Sequence, residues 1–173
     1  MLVIALSVTL CANVFINGVA FLIPSLNSER GLDLAHAGLI SAMPSLGMVV
    51  TLIAWGYVVD RVGERIVLAL GSALTAAAAF AAAAAFAAAA AQSLVAVSAF
   101  LFLGGMAAAS SNSASGRLVV GWFAAEQRGL VMGVRQTAQP LGVGVGALVI
   151  PRVADYHGVS AALLFPAMPS PRA

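Results

Sequence analysis

Gly56-Tyr57-Val58-Val59-Asp60-Arg61-Val62-Gly63-Glu64-Arg65 is a short charged joint between two long apolar runs. Residues 34–59 before it and 66–91 after it contain no Asp, Glu, Lys or Arg. A helix that crosses a bilayer needs about 20 largely apolar residues, and both runs meet that length. Working outward, the same rule marks a first span over 2–26, a fourth over 94–115 and a fifth over 131–151. A sixth begins near Val159 and fails at Phe165, because Pro166-Ala167-Met168-Pro169-Ser170-Pro171 cannot continue a helix. From Gly158 to Phe165 a helix reaches only about 12 Å, against a hydrocarbon core of roughly 30 Å. The expected fold is all-α and polytopic, with five complete transmembrane helices and a truncated sixth. Residues 1–165 form the helix bundle, and 166–173 read as an irregular tail left by truncation or frameshift.

Composition points the same way. Of 173 residues, 62% are hydrophobic and 8% charged, and the mean hydropathy is +1.04. A soluble domain carries about 25% charged residues, so too few are present here to cover a wetted surface. The lipid bilayer is therefore the expected solvent. All eight basic residues are arginines, and a net charge of +2 spread this thinly excludes a nucleic-acid surface. The single cysteine, Cys11, excludes a disulfide framework or a Cys-based zinc site, and it reads as a packed, inert side chain. No cofactor or metal site is expected. No basic residue precedes Arg30, which argues against a signal peptide. The Ala, Gly, Val and Arg usage suggests a GC-rich bacterial genome.

Basic residues flanking the spans set the expected orientation. One side carries Arg61, Arg65, Arg117, Arg128 and Arg135, and the other Arg30 and Arg152. Five against two places the N-terminus and the even joints in the cytoplasm of a multi-pass protein of the cell membrane.

The joint quoted above resembles the G-x-x-x-D-R-x-G-x-R signature of the major facilitator superfamily, which lies between that family's second and third helices. Gly121-Trp122-Phe123, with Arg128-Gly129 and Met132-Gly133, is similar to its connection between helices four and five. Asn17-Gly18 followed by Pro24 is similar to its first helix. The resemblance covers nearly the whole chain, but only the first half of a twelve-helix architecture. It implies a small-molecule solute transporter in which Gly56, Asp60, Arg61, Gly63 and Arg65 form a conformational gate, the aspartate contacting the eleventh helix. Physically, Gly56 would let another helix approach, and Asp60 could pair with Arg61 or Arg65. Some features depart from the family. The position matching an arginine of many proton-driven members is Phe100. The stretch Gln139-Pro140-Leu141-Gly142-Val143-Gly144-Val145-Gly146 displaces the proline of the antiporter motif. Every acid (Glu29, Asp33, Asp60, Glu64, Glu126, Asp155) lies in or beside a joint, so no intramembrane carboxylate offers a proton relay.

Solute sites of such transporters lie near the midplane, on helices that face a central cavity. Asn13 and Asn17 share a face of the first helix, being four apart. Ser110, Ser111, Asn112, Ser113 and Ser115 make the fourth helix polar toward its end, and Gln136 and Gln139 share a face of the fifth. The cavity candidates are Asn13, Asn17, Ser111, Asn112, Gln136 and Gln139; in each case bonding across helices is the blander role. Arg135 could hold an anionic solute, but near a helix end it reads rather as snorkelling to the interface; Trp122 reads as an interfacial anchor, and Gly142 with Gly146 as a close-packing pair. The alanine-rich stretch 75–91, broken by Phe80 and Phe86, reads as a smooth packing surface. An enzyme is not expected. Ser115 and His157 would be the pair for an intramembrane serine protease, but His157 is badly placed to act as base. The rival reading is a non-transporting truncated membrane protein that acts through, or needs, a partner chain. Alternating access requires two bundles, so a missing C-terminal bundle or a second chain is an expected partner.

Overall fold

The computed structural model describes residues 2–24, 27, 33–88 and 93–164. Glu29, Arg30, the end of the alanine-rich stretch and the tail 166–173 lie outside them. Within the described residues the chain forms helices and no strands. Helix α1 spans Leu2–Gly18 and tightens into a 3₁₀ turn at Val19–Leu22. It is followed by α2 at Leu34–Val62, α3 at Glu64–Ala87, α4 at Ser93–Trp122, α5 at Ala125–Gln136 and α6 at Ala138–Leu164.

Four stretches among the described residues are long and apolar enough to cross a membrane: Ala5–Leu22, Leu34–Val62, Glu64–Ala87 and Leu94–Trp122. The expected fifth span is corrected. It does not begin at Val131, because α5 ends at Gln136 and a new helix starts at Ala138. Pro140 sits in the first turn of α6, where its missing N–H costs nothing. Residues 138–157 make a helix of about 30 Å at 1.5 Å per residue, long enough to cross, though it is not among the four stretches that are also apolar enough. At Gly158 (φ 82°, ψ 165°) the helical path breaks, and only Val159 to Leu164 follows as a short helical piece. Such a backbone conformation is open essentially to glycine alone. The second break, Gly63 (φ 92°, ψ 157°), is the whole connection between α2 and α3.

Helix α4 is the axis of the bundle, and small residues let its neighbours reach it. A β-carbon on Gly105 would lie 2.6 Å from the Pro44 carbonyl carbon of α2, and one on Gly47 would lie 2.9 Å from the Met106 nitrogen. Across this contact the Thr51 hydroxyl (3.0 Å) and the Trp55 indole N–H (2.6 Å) both donate to the Met106 carbonyl. On the other side, Gly71 of α3 meets Ser110, and Gly104 meets Ala78 at 3.1 Å. The alanine-rich part of α3 buries Ala79, Ala82, Ala83 and Phe86, while Ala84 and Phe80 remain exposed. It therefore supplies the smooth face its composition suggested. Helix α6 lies along α1: a β-carbon on Gly142 would stand 2.9 Å from that of Asn13, and Gly18 packs on Ile150. The close-packing reading of Gly142 holds. The outer face of α2, with Leu46, Val49, Val50 and Ile53 exposed, has no partner among the described residues, as expected of a helix solvated by lipid.

Candidate functional site

Two polar clusters gather toward the end of the bundle that carries the α2–α3 turn. The first is the joint itself. Helix α2 continues through Val62, so Asp60 and Arg61 sit on its last turn and point in different directions. Asp60 accordingly pairs with neither Arg61 nor Arg65; its carboxylate accepts from the Arg117 guanidinium of α4. Arg61 instead lies over the Tyr57 ring at 5.1 Å. Arg65 lies over the Trp122 ring at the same distance, and the Trp122 indole N–H donates to Glu64 Oε1 at 2.8 Å. Three contacts thus hold the joint to the last turns of α4. Asp60 and Arg117 remain 65% and 46% exposed, so this pair is worth no more than about 0–1 kcal/mol. Gly56 differs from the expectation: nothing stands within 4 Å of where its β-carbon would be, so no described helix uses the space it leaves.

The second cluster centres on Arg135, near the end of α5. Its Nε donates to Ser115 Oγ at 2.8 Å and its Nη2 to the Asn112 carbonyl at 2.8 Å. Nη1 donates to Gln136 Oε1 at 3.2 Å, with the Met132 sulfur at 3.7 Å. Arg135 is half-buried. It does not reach out to the interface as a snorkelling side chain would. It folds back onto α4, about 10 Å inward from Trp122 at the helical rise.

The expected cavity residues divide accordingly. Asn112 and Gln136 are brought together through Arg135, and buried Ser111 lies one turn behind, its carbonyl accepting from the Ser115 hydroxyl. Asn112 also donates to the Met48 sulfur of α2 at 3.6 Å. Gln139 is exposed near the start of α6. Asn13 and Asn17 are not part of the cluster. Asn13 is buried between α1 and α6 and donates to the Thr9 carbonyl at 2.8 Å, and Asn17 donates to the Asn13 carbonyl at 3.0 Å. Each amide gives one N–H bond back along its own helix. Close by, buried Thr9 Oγ1 has no hydrogen-bond partner. Cys11, expected to be packed, is exposed on the outer face of α1. Trp122 is half-exposed at a span end and also bonded to the joint. The small pocket between α1 and α6 is lined by apolar side chains such as those of Phe15, Leu22 and Ile150.

Sequence reasoning missed Arg117 as the partner of Asp60; it noted Ser115 in the polar stretch and weighed Arg135 for an anionic solute, but placed neither among the cavity residues. The available signal was the run of four-residue repeats on α4: Ser111 and Ser115 share one face, on which an arginine beginning the next polar segment could close.

An all-helical bundle with apolar outer faces, a one-residue joint between two long helices and a polar cluster on its inner helices defines a polytopic membrane protein. The family profile described as Major Facilitator Superfamily matches residues 5–170. The chain belongs to the major facilitator superfamily. It is 60% identical over 167 residues to an MFS-type transporter of Mycobacterium tuberculosis described as uncharacterized, a match covering 96% of this chain and 36% of that protein. It is 29% identical over 157 residues to a protein of Arabidopsis thaliana named "Probable anion transporter 4, chloroplastic", covering 90% of this chain and 28% of that one. The xylose transporter XylE from E. coli, solved in an inward-open conformation, has the same fold with a TM-score of 0.72 at 17% identity. That likeness covers 95% of this chain and 44% of XylE. The chain thus spans about a third of the length of the curated relatives it matches.

Proposed function

We propose that this chain is the N-terminal helix bundle of a small-molecule transporter, and that it moves solute only with a second bundle. The observation that supports this most is the Arg135 cluster: polar groups of α4 and α5 collected about 10 Å inside a bundle whose outer faces are apolar. A charged side chain at such depth is expensive and is retained where it faces a solute path or the bundle interior. Alternating access needs one bundle to rock against another around a fixed site, and one bundle alone supplies half of that device. The α2–α3 end faces the cytoplasm in this reading, because five of the seven flanking arginines gather there. Asp60, Arg61 and Arg65 form the gate on this bundle's side, with Gly63 the turn that fixes α2 against α3. Gly56 leaves a gap that a helix of the second bundle would enter. No catalysis is assigned to Ser115, whose hydroxyl is bonded to Ser111 and Arg135, while His157 is exposed near the far end of α6.

The test is uptake into proteoliposomes by the chain alone and by the chain fused to the remaining two-thirds of the Mycobacterium relative. Saturable counterflow of a labelled solute by the fusion only is expected. Saturable uptake by the chain alone would overturn the two-bundle requirement.

A further inference from the structure

We propose that Arg135, with Asn112, Ser115 and Gln136, is a binding site for the oxyanion group, carboxylate or phosphate, of a soluble solute. The proposal deepens the transporter reading above and rests on it for the word solute; the binding itself does not. What carries it is the mismatch between the cation and its partners. Every group bonded to the guanidinium is neutral: a hydroxyl, a backbone carbonyl, a side-chain amide oxygen and a thioether. Among the described residues the acids at this end are otherwise engaged, Asp60 by Arg117 and Glu64 by Trp122. Asp33, Glu126 and Asp155 make no ion pair with Arg135 either, the Arg117–Asp60 contact being the ion pair formed among those residues. Dipoles orient this half-buried cation but leave its charge uncompensated.

The donor inventory points the same way. A guanidinium has five N–H groups in a planar fork. Three are used on oxygen. A fourth meets only the Met132 sulfur, a weak acceptor, and the fifth has no partner among the described residues. Nε and one Nη are pinned to α4, so the plane is held fixed while donors remain. That is a preorganised half of the bidentate arginine–oxyanion contact, which is shorter and stronger than a bond between neutral groups. The same fork would also take the phosphate of an anionic lipid headgroup, so the experiment separates the two sources.

The chain is purified into nanodiscs of phosphatidylcholine, and its melting midpoint is followed by tryptophan fluorescence while inorganic phosphate or succinate is titrated against chloride at equal ionic strength. Phosphate or succinate should raise the midpoint saturably. Arg135→Gln should weaken the apparent affinity about tenfold or more, and Arg135→Lys, which keeps the charge and loses the fork, should fall between. Arg128→Gln removes an equal charge from the exposed face of the same helix, where its Nε serves only the Phe123 carbonyl, and should bind as the parent does. Equal weakening by Arg128→Gln, or no saturable shift with either anion, overturns the site. A shift that depends on Arg135 but appears only in nanodiscs containing phosphatidylglycerol, and not with free anions, assigns the site to lipid and overturns the solute reading. Because binding is read without transport, its failure leaves the fusion uptake result standing, and failure of that uptake leaves binding standing.

Discussion

The crossing of α2 and α4 sets a quantitative expectation. Replacing Gly105 by alanine adds one carbon that would stand 2.6 Å from both the Cα and the carbonyl carbon of Pro44. Real β-carbons do not come closer than about 3.4 Å to such atoms without strain, and backbone cannot rotate away as a side-chain tip can. The helices must therefore part by something near 1 Å at the point where they are closest. Overpacking of this kind costs about 1–3 kcal/mol. Parting also stretches the two hydrogen bonds from Thr51 and Trp55 to the Met106 carbonyl, now 3.0 and 2.6 Å. Interhelical hydrogen bonds in membranes average about 0.6 kcal/mol each. Gly105→Ala should then lose roughly 2–4 kcal/mol of bundle stability, summed from those two sources. Gly56→Ala and Gly121→Ala meet nothing within 4 Å and, being helical, should change stability by less than about 0.5 kcal/mol or gain slightly. The assay is reversible unfolding in mixed micelles with increasing dodecyl sulfate, followed by Trp55 fluorescence in a Trp122→Phe background. A Gly105→Ala chain as stable as its parent would refute the crossing geometry and the central place of α4.

Other expectations follow from the same contacts. Gly63→Ala forces a β-carbon into a backbone region open essentially to glycine, and should lose about 1–3 kcal/mol in the same unfolding assay although no neighbour is within 4 Å. Arg117→Gln should lower stability by less than about 1 kcal/mol, because its ion pair with Asp60 is largely exposed; a loss of several kcal/mol would mean the joint is held far more tightly. Cys11, exposed on a lipid-facing helix, should stay unlabelled by a charged, impermeant thiol reagent in intact vesicles and become labelled once the chain is unfolded in dodecyl sulfate, since the thiolate that reacts forms only in contact with water.

Which features could be read from the sequence follows from how many residues each one requires. A membrane crossing is written over about 20 consecutive residues, so the spans around the 56–65 joint stand out in any window. The break at Thr137 is not, because Leu130, Val131, Met132 and Val134 extend an apolar look upstream of the true start at Ala138. The partner of Asp60 lies 57 residues away. Arg61 and Arg65 were the near choices in sequence, and helix continuation through Val62 turned them onto Tyr57 and Trp122 instead. Small-residue packing was legible as a type and not as a pairing: Gly142 was singled out, whereas the tightest approach is Gly105 on Pro44. Arg135 shows the same limit. Its distance from a helix end suggested snorkelling, but Ser115 and Asn112, 20 and 23 residues earlier, offered bonds that only the fold brings within reach.

The proposal's core is that Asn112 on α4 and Gln139 at the start of α6 both border water rather than lipid once a second bundle is present. Thiol accessibility tests it most directly. Asn112→Cys, Gln139→Cys and, on the outer face of α2, Ile53→Cys would each be placed in a Cys11→Ser chain fused to the second bundle of the Mycobacterium relative, and treated with a charged methanethiosulfonate. The account predicts modification at positions 112 and 139 and none at position 53, where the native side chain is 88% exposed to what should be hydrocarbon. Modification at 53 as fast as at 112, or protection of both 112 and 139, would contradict it.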